Sequence, residues 1–365
     1  MALMKDLSRR ARTGTFMKTS HVLLGLLLLS GCSERPADPG KLVEALSGSE
    51  IVAAFSVLES SQEAGIVPAI VEGTHHPNAR VRAQCAKLLA RRRDVTGIEP
   101  LKKMLGDSDL LARGQAARSL VTLLENEPVK ELIARTDLSW QARHALIQAF
   151  LRLGPESLLE PECLDWLDGP SWPLPARIAN IKALRARYTP ASRELPEGTA
   201  RVQTMIDRAH RIARNESNDV EWRAAAWGLY ARLSGPVCFE ELVGVRAATP
   251  HRRLQESLTV ALGLSAHPEA LPRLAAIARD RKQFSSVRCA ALQGLAELAS
   301  YDASDVILEA LQDPDVNVRR GAVRSLCCER AREPYKVLAA ARAQETDADV
   351  ECALASALRC APRGK

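Results

Sequence analysis

The feature that most constrains this chain is a short frame of residues that recurs about every thirty residues. The clearest copy runs from Asp315 to Leu326, where a polar turn is followed by apolar residues at Val318, Ala322 and Val323. Together with Leu326, these residues recur at helical spacing and share one face of an α-helix. The frame therefore predicts an amphipathic helix whose apolar face must pack against a neighbour.

The frame can be numbered from Arg319 as position zero, and an equivalent anchor residue is found in ten copies. Their successive separations are 31, 31, 30, 34, 46, 32, 33, 31 and 32 residues. The anchors are Ile51, Arg82, Arg113, Arg143, Arg177, Arg223, Gln255, Arg288, Arg319 and Glu351. Position +7 is a large apolar residue in every copy. Position −4 carries a side chain that can cap a helix at Asn78, Asp109, Ser139, Asp219, Asp315 and Asp347.

Each copy continues through a short break into a second apolar run, as at Gly97–Leu105, Pro268–Ala278 and Ala303–Leu311. One helix–turn–helix unit cannot bury its own apolar face, whereas stacked units bury a continuous core. Aromatic residues make up only 4% of the chain, and alternating β-branched runs are scarce, which argues against a sheet. We therefore predict an all-α fold, an α-solenoid of about ten helical hairpins.

The D-x-x-V-R-x-x-A-x-x-x-L frames, complete at residues 315–326 and nearly complete at 78–89, resemble the HEAT-repeat family. The spacing is that of the short, phycobilisome-lyase-type form, and the resemblance covers roughly residues 47–360. The resemblance implies a superhelical stack with a concave helical surface that suits a protein or peptide partner.

The intervals between anchors also predict how the chain is divided. We expect N-terminal repeats at residues 47–184 and C-terminal repeats at residues 221–360. An insertion at residues 185–220 explains the one interval of 46 residues. Within it, the segment Thr199–Asn215 is predicted to form an extra helix.

Residues 1–31 have the pattern of a secretory signal peptide. Basic residues precede the apolar run Val22–Leu29, which is far shorter than the roughly 20 residues that a membrane-spanning helix needs. The sequence Leu29-Ser30-Gly31-Cys32 resembles the lipobox of bacterial lipoproteins. The resemblance implies cleavage between Gly31 and Cys32, lipidation of Cys32 and membrane attachment through its acyl chains. A plain hydrophobic anchor with an incidental cysteine is the alternative.

Residues 32–46 are expected to form a flexible tether, because their first part is polar and contains two prolines. Ser33 rather than aspartate follows the cysteine, which by the same resemblance implies the outer membrane, facing the periplasm. The inner membrane is the alternative location. Met17 is an alternative start that would leave a shorter signal peptide.

Seven of the ten anchors are arginine, and two interpretations compete. The arginines could form a basic ladder that binds an acidic partner. Alternatively, each arginine could pair with an acid in a neighbouring turn, such as Asp109, Asp315 or Asp347. We favour the structural interpretation, because acids recur beside the arginines.

All five tryptophans lie between residues 140 and 227, where the repeat is irregular. They could fill space between imperfectly stacked helices, or they could form a recognition patch, since tryptophan is favoured at interfaces. Trp172 and Trp166 are the candidate partner-binding residues. Trp172, in a proline-rich loop, is the one we expect to be exposed.

The sequence shows no Gly-rich phosphate loop, no G-x-S-x-G and no H-E-x-x-H motif, so we expect no catalytic residue, no metal site and no cofactor. His75 and His76 lie in a predicted turn, and we interpret them as turn residues. Cys85 falls at a core position of the frame. Cys328 and Cys360 occupy equivalent positions in successive repeats, and a disulfide between them is left open.

Four of the six net positive charges lie in residues 1–31, so the repeats are almost neutral and nucleic-acid binding is not expected. Together these observations predict a monomeric, membrane-anchored lipoprotein. Its role would be that of a protein-interaction scaffold in the cell envelope, not that of an enzyme. The alternative is a HEAT-like enzyme of the bilin-lyase type.

Overall fold

A computed structural model of the protein describes residues 38–154, 169, 172–187, 199–298, 301–327 and 334–360. The regular structure of these residues is helical and contains no strand, which confirms the predicted all-α fold. The chain divides into two compact units after residue 155, and each is described by itself. Helices that carry the anchor residues are called anchor helices, and those between them are called backing helices.

Unit 1 is a row of four anchor helices with a backing helix between successive members. Its helices are α1 (Pro39–Glu44), α2 (Ile51–Ser60), α3 (Ile66–Gly73), α4 (Ala79–Arg92), α5 (Ile98–Met104), α6 (Leu110–Leu123), α7 (Asn126–Ala134) and α8 (Trp140–Leu153). The anchor helices α2, α4, α6 and α8 each contact the next one in the row. The backing helices α3, α5 and α7 each pack against the anchor helix that follows.

Unit 2 repeats this arrangement with six anchor helices. Its helices are α9 (Leu174–Arg187), α10 (Thr199–Arg214), α11 (Val220–Ser234), α12 (Phe239–Ala248), α13 (Arg252–Leu264), α14 (Ala270–Arg279), α15 (Ser285–Leu298), α16 (Tyr301–Glu309), α17 (Val316–Cys327), α18 (Pro334–Gln344) and α19 (Ala348–Cys360). The anchor helices are α9, α11, α13, α15, α17 and α19, and successive members are in contact. Each unit is therefore an α-solenoid, and every predicted anchor lies in a helix.

The helix predicted at Thr199–Asn215 is present as α10, which ends one residue earlier at Arg214. It packs against the following anchor helix α11, as the other backing helices pack against theirs. The inserted segment thus supplies a helix that takes the ordinary place of a backing helix.

The predicted caps at position −4 start the anchor helices as expected. Each accepts a hydrogen bond from a backbone amide of the first helical turn, which would otherwise have no partner. These caps are Asn78, Asp109, Ser139, Asp219, Asp315 and Asp347. A cap of this kind stabilises its helix by about 1 kcal/mol.

Position +7 forms the centre of each core. Leu89, Leu120 and Leu295 are completely buried at this position, and burial of each leucine stabilises the fold by about 2–3 kcal/mol. Cys85 is also completely buried, as predicted, and burial raises the pKa of its thiol to about 12. Thr259, a polar exception to the pattern, donates to the Gln255 carbonyl and accepts from the Arg246 side chain.

Candidate functional site

The anchor arginines hold successive turns of each unit together. The Arg82 guanidinium donates to both carboxylate oxygens of Asp107, over 2.7 and 2.8 Å, and to the carbonyl oxygens of His76 and Pro77. Arg319 makes the same pair of bonds to Glu345, both of 2.9 Å. The structure therefore supports the structural interpretation of the arginine ladder.

The acids that pair with the arginines are not the ones expected. Asp109, Asp315 and Asp347 cap the helices, and their carboxylates accept from backbone amides. The direct partners lie two residues earlier, at Asp107, Asp313 and Glu345. A guanidinium from the preceding anchor helix reaches the start of the turn, where the carboxylate also accepts from the backbone amide of the capping residue.

These ion pairs change the acidity of their carboxyl groups. The hydrogen bond from Arg82 is the largest influence on Asp107 and lowers the pKa of that carboxyl. Arg319 lowers the pKa of Glu345 in the same way. Both acids therefore stay ionised at neutral pH, and the arginines beside them are not available to a partner.

The candidate site is a groove of about 740 Å³ in unit 2, formed by five successive anchor helices from α9 to α17. The lining residues are mostly those at positions −2, +1, +2 and +5 of the frame. These positions lie on the helix face opposite to the buried positions −1, +3, +4 and +7. The groove therefore follows the face of the anchor helices that is turned away from their core.

The floor of the groove is made of small residues at one repeated position. Position +2 is Ala225 in α11, Ser257 in α13, Ala290 in α15 and Gly321 in α17, and all four line the groove. The Ser257 hydroxyl donates to the Ala224 carbonyl and so points into the stack. Because no large side chain rises from this position, the surface is recessed across four helices.

The acidic residues of the groove are already paired with arginines. Glu221 accepts two hydrogen bonds from Arg253, of 2.6 and 3.0 Å. Glu256 lies 3.3 Å from the same guanidinium, and Glu297 accepts from Arg232 over 2.7 Å. The hydrogen bond from Arg253 is also the main cause that lowers the pKa of Glu221. The groove therefore presents carboxylates whose charge is largely compensated.

Three basic residues of the groove are not part of such ion pairs. Within the described residues, no hydrogen-bonded or ion-paired partner is found for Lys182, Arg185 or Arg324. Burial is the main cause that lowers the pKa of Arg185, and the Arg232 charge adds to it while the Glu297 carboxylate opposes it. An arginine remains charged under such conditions. The groove thus has an excess of positive charge.

Arg185 packs across a glycine of the next anchor helix. A Cβ atom added at Gly228 would lie 2.8 Å from the Arg185 Nη1 atom and 3.2 Å from its Cδ atom. The absence of a side chain at Gly228 allows the arginine to lie across α11. This close approach fixes the guanidinium in a part of the groove where its neighbours are Glu297 and Arg232.

The residues singled out from the sequence have different outcomes. Gly31, Cys32 and Trp166 lie outside the described residues. The expectation that Trp172 is exposed is wrong, because only 5% of its surface is accessible. Its amide donates to the Gly169 carbonyl just before α9 begins, and its large apolar ring is buried. Burial on this scale removes the reason for proposing Trp172 as a partner-binding residue.

Other tryptophans are buried as well. Trp222 and Trp227 are 9% and 1% exposed, whereas Trp140 is 39% exposed. The interpretation of tryptophans as space-filling residues therefore holds for three of the four whose side chains are described.

His76 behaves as a turn residue. It accepts from the Asn78 amide over 3.0 Å and its other ring nitrogen lies 3.1 Å from Glu44.

In the described part of the chain, no cluster of three or more His, Cys, Asp or Glu side chains could hold a metal ion. Cys328 and the side chain of Cys360 lie outside the described residues, and so does the disulfide left open between them. No described helix is both long and apolar enough to cross a membrane.

The arrangement defines the class of protein: an α-solenoid of helical hairpins with a groove along its anchor helices. The family model for HEAT repeats matches residues 67–151 and 280–359. The chain therefore contains HEAT repeats in these two segments, which confirms the resemblance seen in the recurring frame. The matched segments include the pairs Arg82–Asp107, Arg288–Asp313 and Arg319–Glu345.

Solved structures similar to this chain have low sequence identity to it. Human deoxyhypusine hydroxylase is 17% identical, with 80% of this chain and 94% of that chain covered and a TM-score of 0.28. An engineered protein is 16% identical, with 88% and 98% covered and a TM-score of 0.36. Kap121p is 15% identical, with 98% of this chain but 47% of that chain covered and a TM-score of 0.37. No curated protein sequence matches the chain.

The groove was not foreseen from the sequence, although its signal is present there. The frame directs attention to positions +3, +4 and +7, which are buried. Small residues at position +2 repeat with the same period, whereas position +5 is a cation in only some copies, such as Lys182 and Arg324. The opposite face of the same helices therefore predicts a floor of small residues, but it does not predict which charged side chains lack partners.

Proposed function

We propose that this protein is an interaction scaffold that binds an extended segment of another protein in the groove of unit 2. The observation that carries the proposal is the recessed floor formed by Ala225, Ser257, Ala290 and Gly321 on four successive helices. An extended segment of a partner can follow such a floor and contact each helix in turn. The polar residues on both sides of the floor would then hydrogen-bond to its backbone and side chains.

The groove can be tested by filling it. Gln293 is an exposed residue that lines the groove, so Gln293→Trp adds bulk without disturbing the core. Ala276 is exposed on the backing helix α14, and Ala276→Trp is the matched control. We expect proteins captured from detergent-solubilised native membranes by the wild type to be retained by Ala276→Trp and lost with Gln293→Trp. Equal capture by both variants would exclude the groove as the binding site.

We propose further that the scaffold is attached to a bacterial membrane through a lipid on Cys32, in the outer membrane facing the periplasm. The support is the sequence Leu29-Ser30-Gly31-Cys32 after the short apolar run Val22–Leu29. Several acyl chains on one residue would hold the protein firmly, whereas one chain alone binds marginally.

The membrane attachment can be tested independently of the groove. We expect Cys32→Ala to leave the membrane fraction while circular dichroism shows the same helical content. The outer or inner membrane is then distinguished by density-gradient separation of the wild type. A Cys32→Ala protein that stays in the membrane fraction after a high-salt wash would contradict the lipid assignment.

A further inference from the structure

In the groove of unit 2, the acidic side chains have ion-pair partners, whereas three of the basic side chains have none among the described residues. Its acids Glu221, Glu256 and Glu297 each have an arginine within 3.3 Å. Its cations Lys182 and Arg324 form no hydrogen bond or ion pair with the described acids, although the Lys182 charge contributes to the lowered pKa of Glu221. A ligand that brings negative charge would therefore meet unpaired cations, whereas a basic ligand would have to break existing ion pairs.

Arg185 is the most constrained of the three cations. Its side chain crosses α11 at Gly228, with 2.8 Å between Nη1 and the place where a Cβ would stand. A guanidinium fixed in this way loses little conformational freedom when it binds a carboxylate, and its planar donors match both carboxylate oxygens. Lys182 lies three residues before it on the same helix α9, and Arg324 lies on α17, the last of the five anchor helices that line the groove. This spread suits several carboxylates along one extended chain better than a single small anion.

We infer that the groove of unit 2 recognises an acidic, extended segment of a partner protein, whose carboxylates pair with Lys182, Arg185 and Arg324. This inference rests on the proposed scaffold function and specifies the chemistry of its partner. The small floor at Ala290 and Gly321 leaves room for the backbone of the segment. In an extended chain, alternate side chains point to the same face, so a segment with acidic residues at alternate positions presents all its carboxylates to one side of the groove.

The inference is tested with labelled peptides of about twelve residues in which alternate positions are glutamate, glutamine or lysine. Binding to the full-length protein is followed by fluorescence anisotropy. We expect the glutamate peptide to bind most tightly and its affinity to fall as salt concentration rises. The variant Lys182→Gln/Arg185→Gln/Arg324→Gln should bind it about tenfold or more weakly. Wild-type protein that binds the lysine peptide as tightly as the glutamate peptide would overturn the inference.

A matched control separates the groove from general charge effects. Arg211, Arg273 and Lys282 are exposed residues of unit 2 that do not line the groove. Arg211→Gln/Arg273→Gln/Lys282→Gln changes the net charge equally and should bind the glutamate peptide as the wild type does. Equal weakening by both triple variants would show that the peptide senses overall charge, and would contradict the inference.

Two further variants keep the test decisive. Lys182→Gln/Arg324→Gln leaves Arg185 and its packing untouched, so it replaces the triple variant if the latter does not fold. Gly228→Ala should weaken binding of the glutamate peptide by displacing Arg185 without altering any charge. Unchanged binding by both would overturn the inference.

The inference and the proposed function can fail separately. If Gln293→Trp abolishes capture of native partners while the triple variant captures them normally, the groove binds its partner but not through these cations. If neither variant affects capture, both the inference and the groove are excluded. Binding to phosphatidylglycerol vesicles that requires these cations and is not reduced by the glutamate peptide would assign the site to a lipid instead, and would also overturn the inference.

Discussion

The last repeats of the chain, from α15 onward, and the repeats in its middle, from α9 to α13, hold their anchor arginines with different chemistry. Arg288 and Arg319 are each paired with an acid of the following turn. Arg177 instead places its guanidinium over the Trp222 ring, 4.3 Å from the ring centre. The Arg223 side chain donates to the Ala213 carbonyl. Among the described residues, the same position of the frame thus forms an ion pair in the last repeats but not in the middle repeats, whereas bonds to backbone carbonyls occur in both.

Two further features stabilise the middle repeats and their junction with the last repeats. Gly263 and Gly294 let α13 and α15 approach closely, since a Cβ atom at Gly263 would lie 2.6 Å from the Gly294 carbonyl carbon. The Glu241 carboxylate accepts from His210 and Tyr230, which joins α10 and α12 to α11. The repeat architecture therefore requires a fixed anchor residue, but not one particular interaction partner for that residue. The HEAT-repeat match covers the segments with ion pairs, and residues 152–279 lie outside it.

The largest effect is expected where the middle repeats are most closely packed. Gly263→Ala should lower the free energy of unfolding by about 3 kcal/mol, because the new methyl group overlaps the backbone of Gly294 and the helices must separate. Urea unfolding followed by circular dichroism measures the change.

A second glycine provides the control. Gly244 is exposed in α12 and a Cβ atom there would meet nothing within 4 Å. Gly244→Ala should therefore stabilise the protein by about 0.5–1 kcal/mol, because alanine favours the helix. A Gly263→Ala protein as stable as the wild type would show that the close approach of α13 and α15 is not needed.

The ion pairs of the last repeats should come next in magnitude. The Arg319 and Glu345 side chains are 16% and 5% exposed, so Arg319→Met leaves a buried carboxylate without its partner. We expect a loss of about 2–3 kcal/mol in urea unfolding. The neighbouring Arg320 pairs with Asp349, whose side chain is 78% exposed, so Arg320→Met should cost less than about 0.5 kcal/mol. Equal losses from both variants would contradict the distinction between core and surface pairs.

The same pair predicts a dependence on pH. Arg319 lowers the pKa of Glu345 in the folded protein, so the ion pair stabilises the fold above the pKa of the unfolded chain, near 4. This stabilisation is lost as the pH falls through the lower, folded-state pKa. The difference in unfolding free energy between wild type and Arg319→Met should therefore be full at pH 7 and shrink below about pH 4. A constant difference between pH 7 and pH 3 would exclude the ion pair as its cause.

Some of these features can be predicted from the sequence, and others cannot. Local rules predict the caps and the buried position +7, because both depend on residues within one helix and its first turn. The pairing of Arg319 with Glu345 rather than Asp347 depends on where two successive turns meet in space. The burial of Trp172 likewise depends on its packing with other segments of the chain. Contacts of this kind join segments whose relative position the repeat spacing does not specify.

A smaller effect is expected from the cluster in the middle repeats. Glu241 accepts hydrogen bonds from His210, Arg214 and Tyr230, of 2.7, 2.9 and 2.8 Å. Glu241→Gln should cost about 1–2 kcal/mol, because an amide can accept only part of this set and lacks the charge. Urea unfolding measures the loss. Glu240, its exposed neighbour in α12, provides the control, since Glu240→Gln should leave the stability within about 0.5 kcal/mol of the wild type.

The smallest effect should be found at Arg177, where no carboxylate is left behind when the arginine is removed. Arg177→Met keeps the aliphatic packing over Trp222 and loses only the attraction between guanidinium and ring, so we expect a cost of about 0.5–1 kcal/mol. Because the indole does not titrate, this cost should be the same at pH 7 and pH 3, unlike that of Arg319→Met. A loss as large as that of Arg319→Met would show that the anchor of the middle repeats also depends on an acid, and would remove the distinction between the two regions.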